Sequence, residues 1–126
     1  MLPRVLDDID YINAHGTATA VNDINETRAI KRVFGTAANK LSISSTKSMH
    51  GHCLGAGGGI EAVAAVKAHR AKDSCRRRSA STRLDPECDL DYTLNVGRKR
   101  DVNYAMSNSF AFRGLNAVLV FGPPPA

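Results

Sequence analysis

The chain has 126 residues, enough for one domain with a modest core, and its 43% hydrophobic and 23% charged content is ordinary for a globular protein. The formal charge of +5 is concentrated in two short blocks, Arg76-Arg77-Arg78 and Arg98-Lys99-Arg100, with few aromatics among them and no nucleic-acid motif, so solvated loops account for it better than a nucleic-acid surface. Three cysteines, Cys53, Cys75 and Cys88, contain no C-x-x-C pair and suggest neither a zinc site nor a disulfide framework; the first ten residues carry Asp7, Asp8 and Asp10 and no signal-peptide pattern, and the apolar-rich stretch 53–66 is too rich in glycine and alanine for a membrane span.

Residues 8–14, DIDYINA, read as a short strand running into a turn at Gly16. A helix follows. Asp23 with Glu26 three residues on has the spacing of a capping box, Ile24, Thr27, Ile30, Val33 and Phe34 form the apolar stripe, and Gly35 is the stop. Residues 41–45, LSISS, are a second strand feeding a polar loop, TKSMHGH, and a glycine cluster at 55–59. From Ile60 to about His69 the pattern is helical, with Ala and Val on nearly every face, which predicts burial on more than one side. The glycines before it suit close approach of neighbouring backbone. Residues 70–87 are a basic loop, and 90–96, 103–110 and 116–121 read as strands. With no repeat or internal linker, residues 1–126 form one domain. Strand–helix–strand–helix followed by strands predicts a layered α/β fold, whose ligands bind beyond the strand ends.

The loops after the first two strands carry His15, Lys47 and His52. Each histidine alone is more often structural. Together with an ammonium they suit a site where neutral imidazoles donate N–H bonds to a carbonyl oxygen that gains charge. Glu61 stands in an otherwise apolar helix, where a carboxylate needs a partner; Lys47 and a bound cation are the candidates, against a side chain that simply reaches solvent from the helix start. The H-x-H-C run of His50, His52 and Cys53 lacks the context of a zinc site, and GAGGGI has Ile60 where a dinucleotide fingerprint needs glycine. Thr17 and Thr19 either hold an extended ligand arm or satisfy turn backbone. No credible nucleophile accompanies the set.

These segments, DIDYINAHGTAT, STKSMHGHCLGAGGGIEAV, DPECDLDYTLN and YAMSNSFAFRGLNAVLVF, resemble the C-terminal part of β-ketoacyl-acyl carrier protein synthases from about Ile9 to Phe121. The fatty-acid elongating synthases look nearest, and modular polyketide ketosynthases share much of the pattern. The resemblance implies the C-terminal half of a thiolase-like α/β/α fold and a decarboxylative Claisen condensation of an acyl thioester with malonyl-carrier protein. It implies catalytic roles for His15, Lys47, His52 and Glu61, contacts of Thr17 and Thr19 with the phosphopantetheine arm, and a gating role for Phe112. An internal cation of some members matches Asn13, Glu61, Ser107 and Asn108. No cofactor of the enzyme's own is implied, since phosphopantetheine arrives on the carrier protein. The implied partners are acyl carrier protein and a second subunit, with no nucleic acid or membrane, in cytoplasm or an organelle matrix. The nucleophilic cysteine is expected on a preceding half, so the chain is expected to be an inactive fragment when alone and to expose an apolar face.

Three departures stand out. The family's GFGGTN loop reads AFRGLN, with Ala111 and Arg113 for glycines and Leu115 for threonine, which is expected to stiffen the loop or crowd the entrance. His50 replaces a Thr or Ile and either adds a third imidazole or points away. Residues 69–83 lose the pattern and Asp85 recovers it, as a local reading-frame shift would produce; sequencing the coding DNA tests that. A degenerate, non-catalytic module that binds carrier protein or a full-length partner is the competing function.

Overall fold

The computed structural model describes residues 5–71, 85–93 and 99–124. A short helix α1 (Val5–Asp8) leads into strand β1 (Ile9–Asn13), helix α2 (Asn22–Phe34), a 3-10 segment (Gly35–Lys40) and strand β2 (Ser42–Ser44). Helix α3 (Lys47–His50), a 3-10 turn (Leu54–Ala56) and helix α4 (Gly57–Ala71) follow, then β3 (Tyr104–Phe110), a 3-10 turn (Phe112–Gly114) and β4 (Asn116–Phe121). The strands form one sheet in the order β2-β1-β3-β4, parallel except for β4.

Alternation along β1 divides the core into two layers. Ile12 faces α2 and joins Ile30, Phe34, Leu41, Ile43 and Met106. Tyr11, on the other face, packs with Ala65, Ala68, Val102 and Ala105 under α4. The result is the expected α/β/α layering. The β1–β3 register is irregular between Ile9 and Tyr11, and there the Asp10 carboxylate accepts the N–H groups of Asn103 (2.7 Å) and Tyr104 (3.3 Å). A side chain thus replaces the missing ladder partner at a bulge.

Several expectations need correction. Residues 47–50, read as loop, make one helical turn. The last long helix begins at Gly57 rather than Ile60, and it buries one stripe, Gly57, Glu61, Ala65 and Ala68, leaving Ile60 and Val63 exposed. Its glycines do not serve close packing here, because a Cβ at Gly55, Gly57 or Gly59 would meet nothing within 4 Å and one at Gly58 makes ordinary contact. On α2, Val33 is exposed while Thr27, Ile30 and Phe34 are buried. The Asp23–Glu26 capping box does not form; Thr19 Oγ1 accepts the Asn22 N–H (3.1 Å), Asp23 Oδ1 accepts the Ala18 N–H (3.1 Å), and Glu26 turns inward.

The strand expected at 90–96 reduces, among the described residues, to a bridge between Tyr92 and Ile43, with Ile43 N–H donating to Asp91 O (3.0 Å) and Thr93 N–H to Ile43 O (2.9 Å). Residues 85–93 are pinned to α2 by the Arg28–Glu87 and Lys31–Asp89 ion pairs and a Thr27–Tyr92 hydroxyl bond. Burial raises the Tyr92 phenol to about 12 despite that bond. Residues 72–84 and 94–98 lie outside the described residues, and with them Cys75, the Arg76–Arg78 block and most of the suspected frame-shift window. Among the described residues no helix is long and apolar enough to cross a membrane.

Candidate active site

β1 and β2 run parallel and end together, with Asn13 abreast of Ser44 and of Ser107 on β3. Whatever follows these strands must therefore gather at one edge of the sheet. His15 lies two residues past β1, and Lys47 opens the helical turn past β2. The turn at Gly16 requires its glycine. Its φ is +44° and an added Cβ would lie 2.5 Å from Ser45 Cβ, so this close approach draws the two loops together. Ser45 Oγ completes the clamp by donating to Gly16 O (3.2 Å).

Four of the expected residues meet here. Buried Lys47 forms an ion pair with Glu61, also buried, and donates from Nζ to His15 Nδ1 (3.2 Å). The His15 and His52 ring centroids are 5.4 Å apart at an interplanar angle of 87°. The Phe110 ring meets His15 at 5.7 Å and 62°. His15 is buried, while His52 is exposed on the cleft that Gly16, Thr17, Ser45, Lys47 and Gly51 also line. Glu61 does not reach solvent from the helix start; it is 1% exposed, and Lys47 is its partner.

Hydrogen bonding fixes both tautomers. An ammonium has only donors, so His15 Nδ1 accepts and its ring proton sits on Nε2. The Leu54 N–H donates to His52 Nδ1 (3.2 Å), which places that proton on Nε2 as well. The His15 imidazole is held below its ordinary pKa of 6.5, chiefly by burial and then by the Lys47 charge, which favours the neutral donor form.

His50 points away from the pair. Its Nδ1–H donates to Gly51 O (2.8 Å) and its Nε2 accepts from Thr46 Oγ1 (3.1 Å). That hydroxyl in turn accepts from Asn13 Nδ2 (3.1 Å). Cys53 is half-buried with Sγ 3.4 Å from His50 O, and among the described residues no cluster of three His, Cys, Asp or Glu side chains is disposed to hold a metal ion. Thr17 lines the cleft, whereas Thr19 lies outside it with its hydroxyl capping α2, 3.2 Å from Thr17 Oγ1. Phe112 is 90% exposed on the turn after β3. Ala111 is extended, so its Cβ costs nothing there, but Arg113 sits at φ 61°, in the left-handed region.

Sequence reasoning missed Glu26, which is buried and accepts the N–H groups of both His15 and Gly16. Its signal was present. Glu26, Ile30 and Phe34 are spaced four apart, so the carboxylate lies on the buried stripe of α2.

Residues 4–73, more than half of the chain, match the family "Beta-ketoacyl synthase, C-terminal domain". The matched range ends inside the stretch where the family pattern lapses. Nodulation protein E of Rhizobium sp. (strain N33) is 57% identical over 115 residues, covering 90% of this chain and 28% of that protein. A 3-oxoacyl-[acyl-carrier-protein] synthase 2 of Staphylococcus aureus is 54% identical over 114 residues, covering 90% and 28%. Among solved structures, a β-ketoacyl synthase from Burkholderia phymatum STM815 superposes with TM-score 0.84 at 38% identity, covering 95% of this chain and 29% of that one. A type II polyketide ketosynthase, solved with its acyl-carrier protein and bound to the hexaketide, gives 0.86 at 41% identity, covering 91% and 28%. The chain thus spans little more than a quarter of the length of these relatives. Its sheet, its helical layers and the matched segment agree: the chain shares the thiolase-like fold of its solved relatives and belongs to the β-ketoacyl synthase family, matching its C-terminal domain.

Proposed function

We propose that this chain supplies the oxyanion-binding part of a decarboxylative condensing enzyme of fatty-acid synthesis. The observation that carries the reading is the His15–His52 pair. Both Nδ1 atoms are occupied as acceptors, so each ring offers its Nε2–H, and the rings meet edge to face. When the malonyl thioester loses carbon dioxide, the pair of electrons from the broken C–C bond moves toward the thioester oxygen. Two neutral N–H donors stabilise that enolate oxygen better than the ground-state carbonyl, which is what lowers the barrier. The enolate carbon then forms a bond to the acyl thioester carbonyl, and the thiolate that carried the acyl group leaves. On the family resemblance that thiolate belongs to polypeptide preceding this segment. Lys47 holds the His15 tautomer, and Glu61 balances its charge.

Acyl carrier protein is the proposed partner, supported by the relative solved in complex with its own. Thr17, and Thr19 beside it, would meet the phosphopantetheine arm, and Phe112 would stand at the acyl entrance. The internal cation of the family fits on one point: Asn108 Oδ1 is a buried oxygen with no hydrogen-bond partner among the described residues. With Asn13, Glu61 and Ser107 it would hold a hard cation, which would supply fixed positive charge at the ends of β1 and β3. The similarity to a polyketide ketosynthase keeps polyketide extension as the second reading. A non-catalytic module is favoured only by the strained Arg113 in the gating loop.

The test joins the chain to a separately supplied N-terminal half and measures malonyl-thioester decarboxylation. His15→Ala and His52→Ala are each expected to lower the rate by about 10²–10³-fold, the usual cost of one oxyanion donor. The chain alone is expected to show no turnover. Full rates in both variants would overturn the proposal.

A further inference from the structure

His52 stands on a stretch, residues 51–53, that belongs to no helix or strand, and it is exposed on the cleft. Its ring is held by the Leu54 N–H and by the edge of His15. These contacts orient the ring; they do not fix the peptide that carries it. That peptide joins Gly51 to His52. Gly51 sits at φ +76°, in the left-handed region that favours glycine, so it brings no side chain of its own as an anchor. Its N–H donates to Lys47 O (2.8 Å) and closes α3. Its carbonyl accepts the Nδ1–H of His50 (2.8 Å). On the other side of His52, Cys53 Sγ turns back to His50 O (3.4 Å). Both neighbours of His52 are thus bonded to His50.

The polarity of this grip is set by a run of bonds whose two ends are unambiguous. The Thr46 backbone N–H donates to Asn13 Oδ1 (3.2 Å), so the other end of that amide, Nδ2, is the donor to Thr46 Oγ1 (3.1 Å). The hydroxyl then has its own proton for His50 Nε2 (3.1 Å). A carbonyl only accepts, so the His50 proton lies on Nδ1, toward Gly51 O. His50 therefore holds the tautomer opposite to that of His15 and His52. Through Thr46, its ring connects the end of β1, two residues before His15, with the peptide entering His52.

We propose that His50 is the positioning residue for His52: its Nδ1–H fixes the Gly51–His52 peptide, and Thr46 ties that grip to β1. The Thr or Ile of the family pattern has no ring to span from Thr46 to Gly51. That the placement serves an oxyanion rests on the reading above; that His50 sets the placement does not.

The test uses the full chain, labelled with 15N, in mildly alkaline buffer where free imidazole is neutral. Imidazole nitrogen shifts give each tautomer, backbone relaxation gives the order parameter of the His52 N–H, and a ring-to-ring NOE reports the His15–His52 contact. In the wild-type chain His50 is expected to carry its proton on Nδ1; a proton on Nε2 overturns the proposal. His50→Gln keeps an acceptor for Thr46 near the place of Nε2 but loses the Nδ1 donor. The His52 order parameter is expected to drop from about 0.85, the value of rigid backbone, to below about 0.6, and the NOE to vanish. His50→Asn restores an N–H at the place of Nδ1 and is expected to keep both readouts near wild type. A histidine that merely supported the fold would lower the melting temperature in both variants and leave His52 as ordered as before. Wild-type values in His50→Gln overturn the proposal, and so does an equal loss in His50→Asn. If His50→Gln does not fold, Thr46→Val keeps the imidazole and removes the hydroxyl on Nε2. It is expected to lower the His52 order parameter partway, and an unchanged value overturns the proposal. No acyl chemistry enters these readouts, so a failed decarboxylation test would leave this result standing and remove only the duty assigned to His52.

Discussion

Lys47 and Glu61 are both buried, and each is the other's counter-ion. Two charges withdrawn from water recover little net stability from meeting, but either one left alone is costly. Glu61→Gln is therefore expected to destabilise the chain by about 3–5 kcal/mol, read from urea unfolding. The double variant Lys47→Met, Glu61→Leu is expected to recover most of that loss, and an additive result would mean the pair is not coupled. His15 makes a second demand at this scale. Its pKa in the folded chain lies below 6.5, so between that folded value and 6.5 the unfolded state binds the extra proton and the folded state does not. Stability is then complete above about 6.5 and declines as pH falls through the window. His15→Gln is expected to flatten the dependence of the urea midpoint on pH across that range, because it removes the group that resists protonation. An equally steep profile in the variant would place the titration elsewhere.

At the level of elements, β1 and β4 were legible because isoleucine, valine and aromatic residues gather there in short runs, and α2 because its stripe has helical period. Residues 90–96 were read as a full strand, whereas among the described residues only the Tyr92–Ile43 bridge forms, since such a bridge depends on its partner rather than on its own pattern. The site divides the same way. His15, Lys47, His52 and Glu61 announced themselves through chemistry placed at strand ends or in an apolar helix. Glu26 stayed hidden because its distance from Asp23 imitates a cap, and only the buried register of Ile30 and Phe34 distinguishes the two. The glycines of α4 show the opposite error. Composition suggested close packing, yet Gly59 lies in the first turn of α4 with open space where its Cβ would be. Glycine in a helix costs about 0.5–1 kcal/mol relative to alanine. Gly59→Ala is accordingly expected to raise the unfolding free energy of the isolated chain by that amount; a loss of stability instead would show that another surface reaches this turn in solution.

The whole molecule is asymmetric in its coverage. The α2 side and the first turns of the sheet are closed, while β4 ends the sheet with no strand beyond it among the described residues. Val118, Leu119 and Val120 are each about half exposed, and because successive side chains point to opposite faces, neither face of β4 is fully covered. Ile60 and Val63 add apolar surface on α4, which packs against the same strand. An open edge carrying apolar residues on both faces is a template for pairing with another chain. The chain is little more than a quarter of its relatives' length, so the surface has the character of a sheet margin meant to meet more protein. Without that protein, a second copy is the available partner. The isolated chain is expected to elute from size-exclusion chromatography above its monomer mass, increasingly so with concentration. Leu119→Lys places a charge in the middle of the edge and is expected to shift the elution toward monomer without altering the His15–His52 NOE, since β4 lies beyond β3 from both rings. A wild-type chain that stays monomeric at high concentration and unfolds only at high temperature would show that β4 is shielded in solution.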